Sequence, residues 1–211
     1  MKMIKNLMLF KCLFLFTFYF SQYQYQYFKV DTSAVKKYKN LKNESFYNTS
    51  DAKDLTFYIK NTDKKYKLVY TFTYWCKPCR ENHPKILTFK KNYNNVEIFY
   101  LTDLYDGREF LASEKYLKEI GNNSPIFSLT ENEKMKTEKG KYKYTVFDSK
   151  KKKDVKVNRY LYYIQKLIPG HQDYGYSLII LYNENNKPVY ASTYHETHKE
   201  IFDQIENVLK N

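Results

Sequence analysis

The sequence predicts an α/β fold with a mixed central sheet flanked by helices, on three observations. From about residue 51, apolar strand-like runs alternate with amphipathic helical ones, the pattern that builds parallel strands with helices packed on them. Two late strands are separated only by the polar turn Asn183-Glu184-Asn185-Asn186, which makes them a hairpin. A last amphipathic helix then follows. Composition agrees: 211 residues, 43% hydrophobic and 28% charged, fit one ordinary domain plus something extra. Five Gly and five Pro exclude collagen-like and Pro/Gly-rich architectures, and three cysteines exclude a multi-disulfide scaffold.

Residues 1–21 have the proportions of a signal peptide. Lys2, Lys5 and Lys11 precede an unbroken apolar run over 12–20, too short to span a bilayer. Cleavage near Ser21 or Gln22 is expected, with an extracytoplasmic, periplasmic destination; membrane association is expected only if the segment stays uncleaved. Its removal takes away three lysines and no acids, so the formal charge falls from +13 to +10, and Cys76 and Cys79 become the only cysteines. Residues 22–50 read as a flexible segment: the repeat Gln22-Tyr23-Gln24-Tyr25-Gln26-Tyr27, then Lys/Asn-rich chain. Asn43-Glu44-Ser45 and Asn48-Thr49-Ser50 fit the glycosylation pattern, which matters only in a eukaryotic secretory route.

The folded domain is expected over 51–211. Leu55, Tyr58 and Ile59 mark one face of a short helix. Residues 67–74 are a buried strand, rich in β-branched and aromatic side chains, that runs straight into Trp75-Cys76-Lys77-Pro78-Cys79-Arg80. Ile86, Phe89 and Tyr93 recur at helical spacing; 96–102 is a strand, and 110–120 a helix stopped by Gly121. Short strands are expected over 126–129 and 142–147, then a helix through Tyr160, Leu161, Ile164 and Leu167, ended by Pro169-Gly170. Strands at 177–182 and 188–192 and a helix through Ile201, Phe202, Ile205, Val208 and Leu209 complete the domain. Tyr160, Tyr162 and Tyr163 read as two core tyrosines with Tyr162 exposed, rather than as an aromatic binding patch.

The positive charge does not predict nucleic-acid binding. Lys far outnumbers Arg, and Lys, Asn, Tyr, Phe and Ile share AT-rich codons, whereas base and phosphate forks call for concentrated Arg. The one dense run, Lys150 to Lys153, reads as a solvated loop.

Chemistry is concentrated where the first strand meets its helix. A thiol at a helix start lies against unpaired backbone N–H groups and the positive end of the dipole, which stabilise the thiolate. Cys76 holds that position; Lys77 adds a cation, and Pro78 suits a first turn, where its missing N–H leaves nothing unsatisfied. Two intervening residues let Cys79 reach the Cys76 sulfur. The duller reading is half a zinc site completed by His195 and His198, but the gap is long, the His spacing is one short of the usual, and Trp75 and Pro78 are left unexplained. His83, seven residues after Cys76 and on a similar helix face, either tunes a thiol or is an ordinary helix residue. His171, ahead of the late strand, is equally open.

The hexapeptide Trp75-Cys76-Lys77-Pro78-Cys79-Arg80, in its strand–helix context, resembles the WCxPC(R/K) signature of the thioredoxin superfamily, and more narrowly of its exported TlpA/ResA-like thiol-disulfide oxidoreductases. Pro84 falls five residues after Cys79, where that family has its helix-kinking proline. The resemblance covers 51–211 and implies a thioredoxin-like fold, here with a helical insertion over about 103–173 before the final hairpin. There are three departures. The acid or Asn that the family often carries five residues before the Trp is Tyr70. The Glu three residues after the second Cys is Asn82, with Glu81 one position earlier. The cis-proline ahead of the strand facing the CxxC is Tyr176, when Tyr176-Ser177-Leu178-Ile179-Ile180-Leu181 is set on that strand; Pro169 is the alternative. The resemblance thus implies that Tyr176 and Ser177 join Trp75, Lys77 and Pro78 in substrate docking.

The expected function is that of an exported thiol-disulfide oxidoreductase reducing protein disulfides: Cys76 attacks and Cys79 resolves. The alternatives are an oxidase using the same pair, and a non-enzymatic binding module that uses the loop around Tyr176. Expected partners are disulfide-containing proteins and a redox partner whose identity the sequence does not give; nucleic acid, organic cofactor and metal are not expected.

Overall fold

The computed structural model describes residues 46–49, 52–103, 108–122, 124–129, 133–148, 151–173 and 175–210. The expected signal segment, Cys12, the 22–27 repeat and Asn43 lie outside them. In chain order the elements are β1 (Phe46–Thr49), α1 (Lys53–Asn61), β2 (Tyr66–Thr71), α2 (Lys77–Asn92), β3 (Val96–Asp103), α3 (Arg108–Glu119), β4 (Ile126–Leu129), a 3-10 turn (Glu133–Met135), β5 (Tyr144–Asp148), β6 (Lys153–Val157), α4 (Arg159–Leu167), β7 (Ile179–Tyr182), β8 (Pro188–Ala191) and α5 (His198–Lys210).

Six strands form the mixed sheet β1-β4-β3-β2-β7-β8. β1, β4, β3 and β2 run parallel, and β7 and β8 add antiparallel. All six residues of β2 are buried, as a central strand covered on both faces requires. On one side of the sheet a core gathers Leu55 and Ile59 of α1, Tyr160, Tyr163, Ile164 and Leu167 of α4, and strand residues such as Val69, Leu101, Phe127 and Ile180. Helix ends are set by local chemistry. Gly121, at φ +78°, closes α3 with the Asn122 N–H returning to the Leu117 carbonyl at 2.8 Å. Asn158 caps α4 by accepting the Leu161 N–H at 2.7 Å. Thr197 and Glu200 cap α5 reciprocally.

Three expectations are corrected. The stretch 22–50, expected to be flexible, supplies β1, whose Phe46 to Thr49 pair with Ile126 to Leu129; four residues without clear alternation gave no strand signal. The segment expected as a helical insertion holds α3 and α4, and the short strands expected at 126–129 and 142–147 stand as β4 and β5; what differs is that β4 enters the main sheet and that β5 pairs with a further strand, β6, in a separate hairpin. Tyr162 is buried, not exposed, because the hairpin's Tyr144 covers it with ring centroids 5.3 Å apart. Lys151, Lys152 and Lys153 are solvated, as expected, although Lys153 already begins β6.

Candidate active site

The site is built outward from the end of β2. After Thr71 the chain leaves the sheet, still tied to β3 by the Phe72 N–H on the Leu101 carbonyl at 2.9 Å, and a turn brings the Cys76 N–H to the Thr73 carbonyl at 3.2 Å. Two side chains hold that turn: the buried Ser113 hydroxyl accepts the Tyr74 N–H at 3.1 Å, and Arg80 donates to the Tyr74 carbonyl at 2.9 Å. Cys76 is the residue that caps α2; Lys77 and Pro78 open the helix.

Cys76 and Cys79 are joined in a disulfide, with Cα atoms 5.2 Å apart. The Cys79 N–H donates to the Cys76 sulfur at 3.2 Å. Once the disulfide opens, that N–H faces a thiolate, and a hydrogen bond to a charged acceptor is about twice as strong as to a neutral one. Cys76 is 8% exposed and Cys79 0%. Of the two cysteines, Cys76 is the one with an edge open to solvent. The Cys79 sulfur lies 3.8 Å from the Thr71 carbonyl oxygen. Lys77 is exposed and paired with Glu81 at 3.6 Å. Pro84 lies within α2 on its solvent side and has no N–H to return to the Arg80 carbonyl.

Tyr176 does reach this corner. Its ring meets Trp75 edge-on with centroids 5.1 Å apart, and Tyr160 backs it at 5.4 Å. Trp75 is 43% exposed, so an aromatic surface adjoins the thiol pair. The described residues contain no cis peptide bond, so Gly175–Tyr176 is trans. Gly175 has φ 121°, a backbone conformation that L side chains rarely adopt, so glycine is the residue that sits there without strain. Ser177 has φ 70°, a region that costs a non-glycine residue about 1–2 kcal/mol. It is held by its N–H on the Thr71 carbonyl at 2.8 Å, while the Leu178 N–H donates to the Thr71 hydroxyl at 2.7 Å.

His83 belongs to the core rather than to the thiol surface. It is 1% exposed, its Nε2 hydrogen-bonds the Tyr100 hydroxyl at 2.7 Å, and its ring packs on Phe72. Burial pushes its pKa down to about 4, so the ring is neutral at neutral pH. His171 is half-buried, with no hydrogen-bond partner at Nε2. Among the described residues no three His, Cys, Asp or Glu side chains gather in a metal-holding group.

Two residues met in the sequence only as departures from a motif prove to be part of the site. Tyr70 is fully buried and donates its hydroxyl to the Cys79 carbonyl at 2.9 Å; burial drives its pKa well above the usual phenol range. Asn82 is buried and donates to the Ser177 hydroxyl at 3.0 Å. Asn82 carried a signal of its own: it lies one turn after Cys79 on the buried face of α2.

No family model and no curated protein matches the chain. Among solved structures it is similar to a thioredoxin-family thiol:disulfide interchange protein from Chlorobium tepidum TLS, at 13% identity and a TM-score of 0.45, covering 73% of this chain and 84% of that one. The thioredoxin domain of a thiol-disulfide oxidoreductase from Bacteroides vulgatus is similar at 14% identity and a TM-score of 0.44, covering 69% and 80%. StoA from Bacillus subtilis is similar at 14% and 0.40, covering 69% and 85%. On its own topology, a buried strand leading through a CxxC into a helix, then an antiparallel hairpin and a closing helix, the fold is thioredoxin-like.

Proposed function

We propose that the protein is an exported thiol-disulfide oxidoreductase that reduces disulfides in protein substrates. The observation that carries this reading is the asymmetry of the dithiol at the head of α2: Cys76 caps the helix and has an exposed edge, whereas Cys79 is wholly buried behind it. In the reduced protein the Cys76 thiolate attacks one sulfur of a substrate disulfide. The substrate S–S bond breaks, its second sulfur leaves with the electron pair and takes up a proton, and a mixed disulfide remains on Cys76. Cys79, deprotonated, then attacks the Cys76 sulfur and releases the other substrate sulfur as a thiol. Two electrons and two protons pass to the substrate, and a dithiol donor outside the domain must restore the Cys76–Cys79 pair.

Reduction is favoured over oxidation because the cation next to Cys76 in sequence adds little to what the helix end does for its thiolate. Lys77, the nearest cation in sequence, is exposed and already paired with Glu81, and exposed pairs contribute about 0–1 kcal/mol. A weakly stabilised thiolate makes a poorer oxidant. Export is supported by the basic-then-apolar start of the chain.

The test combines trapping with redox equilibration. Cys79→Ser is expected to accumulate mixed disulfides with substrates, and Cys76→Ser none. Faster alkylation of Cys79 than of Cys76 at mildly acidic pH would refute the roles. A reduction potential near about −120 mV, the strongly oxidising end of the range, would make the protein an oxidase instead.

A further inference from the structure

Residues far apart in sequence meet behind the disulfide. The Asn82 amide donates to Ser177 Oγ at 3.0 Å, Ser177 Oγ lies 3.3 Å from the Tyr70 hydroxyl, and that hydroxyl donates to the Cys79 carbonyl at 2.9 Å. A phenol has one proton to give. With that proton on Cys79, the Ser177 hydroxyl must be the donor to Tyr70. The chain therefore runs one way, from Asn82 to Ser177 to Tyr70 to Cys79, and the burial of Tyr70 and Asn82 limits competition from water. Ser177 joins the loop to this chain in a left-handed conformation that its own N–H, bound to Thr71, also fixes. The preceding residue is Tyr176, whose ring stands against Trp75, the neighbour of Cys76.

Resting on the oxidoreductase reading, we propose that Ser177 is a positioning residue: its hydroxyl, clamped between Asn82 and Tyr70, holds Tyr176 against Trp75 and so selects polypeptide disulfides over small ones. The paired rings of Tyr176 and Trp75 form a surface next to Cys76, and a polypeptide has the contact area to engage it where a small disulfide does not.

The experiment uses the full mature chain, with Ser177→Ala and Tyr70→Phe breaking the same chain of hydrogen bonds at different points. Turnover of a small aromatic disulfide and of insulin is measured with dithiothreitol as donor, alongside the emission of Trp75, the single tryptophan, in the oxidised protein. Both variants are expected to raise kcat/KM for the small disulfide relative to insulin roughly fivefold, the factor one aromatic edge contact supplies. They should also shift the Trp75 emission. If Ser177→Ala does not fold, the nearly isosteric Tyr70→Phe carries the test. A lowered melting temperature with an unchanged substrate ratio would overturn the proposal, leaving Ser177 a purely structural residue. Unchanged Trp75 emission would overturn the clamp alone. A wild type that turns over neither disulfide would overturn the oxidoreductase reading and the selectivity claim with it.

Discussion

Replacing His83 and Tyr100 together by phenylalanine should make the protein more resistant to mild acid. In the native state the His83 ring is buried and neutral with its pKa pushed down to about 4, against 6.5 for an ordinary histidine. Between those values the unfolded chain binds a proton that the folded one does not, so stability falls as the pH drops. The contribution is intact above 6.5 and is lost progressively down to about 4. Linkage puts the loss between pH 7 and pH 5 at about 2 kcal/mol. Changing His83 alone would strand the buried Tyr100 hydroxyl, at a cost of about 1–3 kcal/mol. The double variant removes both partners, and both rings keep apolar neighbours in Phe72 and Tyr116 or Tyr70. Urea unfolding at the two pH values, wild type against double variant, isolates this histidine from the carboxylates common to both. The difference in stability loss should be about 2 kcal/mol in favour of the variant. Equal losses would mean that His83 is protonated in the native state and that its burial does not govern its charge.

Other expectations follow from single contacts. Asn158→Ala removes the cap of α4 and should cost about 1 kcal/mol, read as a fall in melting temperature of about 2–4 °C. Tyr176→Pro takes the ring away from Trp75 and should raise turnover of an unspecific small disulfide about fivefold; unchanged turnover would remove the basis for a docking role. Intact-mass measurement of the native extracytoplasmic protein should find a mature N-terminus between about Ser21 and Tyr27; residues 1–20 still attached would indicate an anchored protein.

The sequence was most legible where one segment sufficed to fix an element. The apolar runs of β2, β3 and β7 and the amphipathic faces of α4 and α5 stand where periodicity put them. Boundaries slipped at the site itself. β2 stops at Thr71, not at residue 74, because the chain must turn there to bring Cys76 onto the end of α2. β7 starts at Ile179, not at 177, because Ser177 is left-handed. The order of strands in space was not legible, since nothing local says that β4 slots between β1 and β3. The β5–β6 hairpin was hard to read for a different reason. Its second strand, Lys153-Asp154-Val155-Lys156-Val157, mixes exposed charges with half-buried valines, a weak signal beside the helix that follows.

The dithiol could be found from six consecutive residues, whereas its surroundings join positions 107 apart in sequence. This is why Tyr70, Asn82 and Tyr176 each read as an isolated departure from a motif. Their meeting around Ser177 gives the departures a common physical sense. A carboxylate at position 70 would be a buried charge needing a partner, and a buried charge is tolerated only when paired or neutralised. Tyrosine instead keeps its proton, because burial pushes its pKa up, and spends that proton on the Cys79 carbonyl. Asn82 and Ser177 are neutral as well, so the whole connection between loop and helix carries no charge beside the buried sulfur. Each member satisfies the next, and losing any one leaves a buried polar atom without its partner. That mutual dependence fits a network that fixes geometry around the thiols better than one that moves protons to them.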